Sequence, residues 1–135
     1  MKVLLRLPAL ALTVCLTLPG QTDAQDRAAL QGTWRAIEAT SNGDPPPAGM
    51  LEKLTLVFAG EKVSIMGKAP TGFKIDTSFQ PAHIDFLNSR HQVGIYELKG
   101  DTLKLCTGMD GDRPTTFRTE KYTDHTYILL KRTKQ

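Results

Sequence analysis

The feature that most constrains this chain is a repeated alternation of apolar residues two apart, in short runs set off by turn residues. Trp34 and Ala36 alternate with Arg35 and Ile37. Leu54, Leu56 and Phe58 alternate with Thr55 and Val57. Val63 and Ile65 follow, then Phe73 and Ile75, Ile84 and Phe86, Val93 and Ile95, Leu103 and Leu105, Phe117, and last Ile128 and Leu130. A period of two places each set on one face of a pleated strand. Nine such segments at a spacing of roughly ten residues predict an all-β sandwich or barrel.

Turn chemistry narrows the choice. Ala59-Gly60-Glu61, Lys99-Gly100-Asp101 and Asp110-Gly111-Asp112 suit short antiparallel hairpins. Short links between consecutive strands predict an up-and-down meander, which closes into a barrel and so removes its edges. One connection differs. Ser41 to Pro47 holds three consecutive prolines, which cannot join a sheet ladder. Ala48 to Lys53 is expected to form one helical turn after it, carrying exposed Met50 and Leu51 across one mouth of the barrel. Before the strands, Asp26 to Gln31 reads as a short helix, capped by Asp26 and ended by Gly32.

Residues 1–24 read as a secretory signal, removed before Gln25. Lys2 and Arg6 supply the positive start. Leu7 to Leu18 supply an apolar run of about a dozen residues, short of the roughly 20 that a membrane-spanning helix needs. Thr22-Asp23-Ala24 resembles a small-x-small cleavage pattern. Leu12 to Cys15 only loosely fits a lipidation site, since the residue before that cysteine should be small and Val14 is not. Secretion or delivery to a periplasm is therefore expected, with no integral membrane span after cleavage.

What remains, residues 25–135, is one domain. The whole chain has 135 residues, 40% of them hydrophobic and 23% charged, which is room for a single core. Its formal charge of +3 is too mild for a nucleic-acid binder. Only two cysteines are present, and with Cys15 gone Cys106 has no partner within the chain.

Several motifs stand in order: Leu30-Gln31-Gly32-Thr33-Trp34, Leu54-x-Leu56-Val57-Phe58, Gly94 to Leu98, Gly100 to Cys106, and Arg113 to Phe117. Together they resemble the short lipocalin-like, calycin-type domain that occurs as many paralogues in Planctomycetes. The resemblance covers about residues 29 to 132. It implies an antiparallel up-and-down lipocalin-like β-barrel of about eight to nine short strands with a short N-terminal helix, on a secreted protein. It carries no established activity with it. It also implies that Trp34 of the Gly-x-Trp motif, with Gly32, packs across the closed end. A basic residue late in the last strand, Arg132 or Lys131, would lie over the ring. Arg132 shares its alternation with Ile128 and Leu130, and a guanidinium stacks well on indole. The chain departs from classical lipocalins in being shorter and in lacking their disulfides.

The expected interior holds Phe58, Phe73, Phe86 and Phe117. An eight-stranded barrel either fills with side chains or holds one small ligand. Glu97 shares parity with Val93 and Ile95, so strict alternation points it inward, where a carboxylate could orient a ligand; a bend would instead leave it in solvent. Tyr96 then faces outward. His83-x-Asp85, His91 and His125 show no metal-ligand spacing, and Asp110-Gly111-Asp112 lacks the ligand ladder of a calcium loop. Cys106 has no neighbouring base that would make it a nucleophile, and no serine elbow, phosphate loop or dinucleotide fingerprint appears. The reading is a small non-enzymatic binding module without cofactor or metal. It takes a small hydrophobic or amphipathic ligand at Met50, Leu51, Phe58, Phe73, Phe86, Glu97 and Phe117. The alternative is a protein-interaction module of the cell envelope with a filled core, acting through Met50, Leu51 and Met109.

Overall fold

A computed structural model describes residues 22–133. It is a closed barrel of eight antiparallel strands in simple sequence order, each paired with the next and β8 returning to β1. The strands are β1 (Gly32–Ser41), β2 (Thr55–Ala59), β3 (Lys62–Ile65), β4 (Thr71–Asp76), β5 (Ala82–Leu87), β6 (Val93–Lys99), β7 (Thr102–Gly108) and β8 (Thr126–Arg132). One helix, α1 (Asp23–Leu30), precedes them, and a 3-10 turn at Leu51–Lys53 follows the proline loop. The segment 1–21, with nearly all of the expected signal, lies outside the described residues.

The helix starts earlier than its alternation suggests. Thr22, not Asp26, is its N-cap. The Gln25 amide donates to Thr22 Oγ1 at 3.1 Å, and the Thr22 amide donates to Gln25 Oε1 at 3.0 Å. This reciprocal box satisfies two otherwise unpaired helix donors. Asp26 is thereby released to face the barrel. Cleavage before Gln25 would remove the cap, together with Asp23.

Both ends of α1 are tied down. Asp23 Oδ1 accepts from the Thr77 amide at 2.8 Å and the Thr77 hydroxyl at 2.7 Å. These bonds hold the Asp23 carboxyl below its ordinary pKa. At the far end Gln31 exchanges two bonds with the backbone of Gly60, at 2.9 and 2.7 Å. The helix therefore crosses one mouth of the barrel, from the β4–β5 hairpin to the β2–β3 hairpin. Leu30 is its fully buried apolar anchor.

The interior is filled from all eight strands. Phe58, Phe73 and Phe86 are each 2% exposed, and Leu56, Val63, Ile84, Leu103 and Leu130 are equally enclosed. The Phe58 and Phe73 rings meet edge to face at 5.0 Å. In β1 a bulge between Ala36 and Glu38 lets both Ala36 and Ala39 turn inward and leaves Ile37 half exposed.

Two expectations are corrected. Phe117 is not on a strand: it lies in the β7–β8 connection, outside the barrel, with its ring 6.4 Å from that of Tyr127. Eight of the nine segments are strands. The parity of β6 is also reversed. Tyr96 belongs to the interior cluster, and Glu97 takes the solvent-facing alternative, projecting outward beside Lys104 through strand parity rather than a bend. Alternation misleads here because both faces of β6 are covered. Ile95 pairs with Cys106, which pairs with Tyr127, in a row across the outer face. Ile95 and Cys106 are nonetheless buried. The β7–β8 connection accounts for the cover, since Arg113 from it donates to the Gly94 carbonyl at 2.8 Å and reaches Asp85 at 2.8 Å.

The mouth opposite α1 is laced by its loops. Thr119 meets Thr40 and the Gly43 amide, each at 3.0 Å, and the Thr123 amide donates to Asn42 at 3.1 Å. The proline loop lies at this mouth, as expected. Met50 there is exposed, and Leu51 packs against the edge of the core.

Candidate functional site

The two ends of α1 differ chemically. At its C-terminal end the Arg132 guanidinium sits 4.3 Å from the centre of the Trp34 ring. It donates to the carbonyls of Ala29 and Gln31, and to Asp101 at 3.0 Å. The Trp34 indole donates to the Leu30 carbonyl at 2.8 Å. The last carbonyls of a helix have no intrahelical partner, and here two side chains supply one. Gly32, with a φ of +118°, makes the turn from α1 into β1 and brings Trp34 beneath the guanidinium. This end is closed.

Beside the N-terminal half of α1 the barrel mouth stays open. Pairing of β5 with β6 ends at Ala82–Tyr96, while β6 runs on to Lys99. The gap between this overhang, the Thr77–Pro81 loop and α1 is a cleft of about 540 Å³. Its walls are Phe79, Pro81, Ala82 and Leu98, and its polar groups include Asp26, Thr77, Tyr96 and Lys99.

Asp26 is buried among these, only 6% exposed. Its Oδ2 accepts the Tyr96 hydroxyl at 2.6 Å. Burial first, and then the bond to Asp26, raise the Tyr96 pKa well above that of a free tyrosine. Tyr96 is thus held as a donor. Among the described residues Asp26 has no ion-pair partner and its Oδ1 accepts no hydrogen bond.

The expected ligand residues are distributed differently. Phe58, Phe73 and Phe86 are spent on the packed interior and line neither the cleft beside α1 nor the smaller surface clefts described below. Glu97 touches the cleft only at its rim, where it lies 3.7 Å from Lys104 and 3.9 Å from Lys99. Leu51 lines a separate cleft of about 300 Å³ with Arg35 and Lys131. Met50 and Phe117 line neither.

A third cavity, of about 500 Å³, lies across Phe79 on the outer face, between Lys74, Asp76, His83, Asp85 and Arg113. The Phe79 and His83 rings stack at 3.8 Å. Burial and the nearby Arg113 charge lower the His83 pKa, against the pull of Asp76 and Asp85. Among the described residues no three His, Cys, Asp or Glu converge as metal ligands.

Phe79 and Leu98 are not among the expected site residues, and Asp26 is expected only as a helix cap. The Thr22-x-x-Gln25 box was the available signal for Asp26, since it moves the helix start and turns Asp26 inward. Phe79 is a lone aromatic among polar turn residues, and no periodicity marks it. Comparison with protein-family models, with curated proteins and with solved structures finds no match for this chain.

Proposed function

We propose that the domain is a non-catalytic binding module for a small hydrophobic or amphipathic molecule, held in the cleft beside α1 rather than in the barrel lumen. The observation that carries this reading is the cleft itself. Its volume of about 540 Å³ falls within the roughly 300–1,000 Å³ of small-molecule sites. Four apolar side chains wall it, and a few polar groups at its floor and rim can orient an occupant. Affinity comes from apolar burial, roughly 25 cal/mol per Å² removed from water. Delivery to a periplasm or the medium, and kinship with short lipocalin-like domains, belong to the same proposal. Among the described residues no helix is long and apolar enough to cross a membrane.

Native mass spectrometry of the purified protein, after exposure to an extract of its own cell envelope, tests this. The expected result is a bound small molecule that Phe79→Ala loses. A persistently empty protein counts against it. A filled core also fits an envelope interaction module acting through its loops, as the packing of Phe58, Phe73 and Phe86 allows. That reading gains if a protein co-purifies and Met50→Asp releases it.

A further inference from the structure

Given that the cleft binds a small molecule, we infer that its preferred ligand carries an ammonium group, donated to the free oxygen of Asp26, on an apolar body laid against Phe79 and Leu98. The inference rests on the binding reading above and names the ligand class for that same site.

A carboxylate only accepts hydrogen bonds. Asp26 is nine-tenths buried and lines the cleft, and the Tyr96 hydroxyl occupies one of its oxygens at 2.6 Å. That hydroxyl has committed its proton to Asp26, so the floor of the cleft presents acceptors to an incoming molecule. The other oxygen of Asp26 accepts from no described residue, and a cation with N–H donors is the group that best complements such an acceptor.

The protein's own cations do not fill this role. Arg27, next in the chain, forms no ion pair with Asp26 among the described residues; its guanidinium lies 4.9 Å from the centre of the Phe73 ring, and its charge reaches the Tyr96 hydroxyl. Lys99 stands at the rim, with its side chain 79% exposed and its ammonium 3.9 Å from Glu97. Phe79 is 48% exposed, and an aromatic face attracts a cation as well as an alkyl chain. The same floor repels a ligand carboxylate, so fatty-acid-like molecules are disfavoured.

The test is titration calorimetry at neutral pH with three probes of equal chain length: octylammonium, octanol and octanoate. The purified protein is expected to bind octylammonium about tenfold or more tighter than octanol, the scale of one charge-assisted hydrogen bond, and octanoate most weakly. Asp26→Asn is expected to bring the amine and the alcohol to similar affinity while keeping the alcohol. Equal binding of amine and alcohol by the unaltered protein overturns the inference and leaves the binding reading in place. Binding of none of the three overturns both. The comparison among probes on the unaltered protein decides the matter even if Asp26→Asn fails to fold. Tyr96→Phe, which keeps the carboxylate, is expected to retain the preference for the amine.

Discussion

The Arg132 guanidinium stacks 4.3 Å from the centre of the Trp34 ring while donating to the carbonyls of Ala29 and Gln31. One side chain thus joins the last strand, the first strand and the end of the helix. Arg132→Lys keeps the charge but cannot span these partners. It is expected to cost about 2–3 kcal/mol, from lost charge-assisted bonds and ring contact. In a domain of this size that lowers the melting midpoint by roughly 10 °C or more. A calorimetric scan checks it, and an unchanged midpoint would mean that the α1 end is held without Arg132.

Tyr96 and Asp26 tie the helix to β6 from the other side, through a buried bond of 2.6 Å. Tyr96→Phe leaves the carboxylate unsatisfied and is expected to cost about 1–3 kcal/mol in urea unfolding. The effect has a pH signature. Burial, then Asp26, raises the Tyr96 pKa in the folded state. Its stabilisation is therefore fully present below the unfolded tyrosine value of about 10, and is lost as pH rises above it. The stability difference between the unaltered protein and Tyr96→Phe should shrink from pH 9 to pH 11. A difference that grows would contradict the burial of this hydroxyl.

Cys106 is fully enclosed between Ile95 and Tyr127 on the outer face of β7. Burial pushes its thiol pKa from 9.0 up to about 11. Its neutral form therefore stabilises the fold below pH 9, and this contribution declines as pH approaches 11. Iodoacetamide at pH 8 is expected to leave the native protein unmodified and to label it once urea has unfolded it. Rapid labelling of the native protein would show that the β7–β8 connection does not shield this face. The same enclosure places Cys106 out of reach of a second chain.

Much of the barrel was legible because alternation is dictated by burial on one face. The strands holding Phe58, Phe73, Phe86 and Leu130 lie where their period places them, facing a common interior. Errors arose where burial was two-sided or local. Ile95 looked like an inward residue because the β7–β8 connection buries the outer face too, and this reversed Tyr96 and Glu97. Phe117 looked like a strand residue because an aromatic on the outer surface has the same letter as one in the core. The candidate cleft was hidden for a different reason. It exists because β6 outruns β5 and because α1 crosses the mouth off-centre, and both are properties of chain length and tertiary placement rather than of local pattern. Trp34 and Arg132 were within reach, since a short motif and strand parity both point to them.

The lumen is packed, and the proposed binding site lies beside α1. An amide chemical-shift titration of the isotope-labelled protein with octylammonium tests this placement most directly. The largest shifts are expected at Asp26, Thr77, Phe79, Tyr96 and Leu98, with Phe58, Phe86 and Ile128 nearly still. Largest shifts at Phe58, Phe86 and Ile128 would place the ligand in the lumen and contradict this placement.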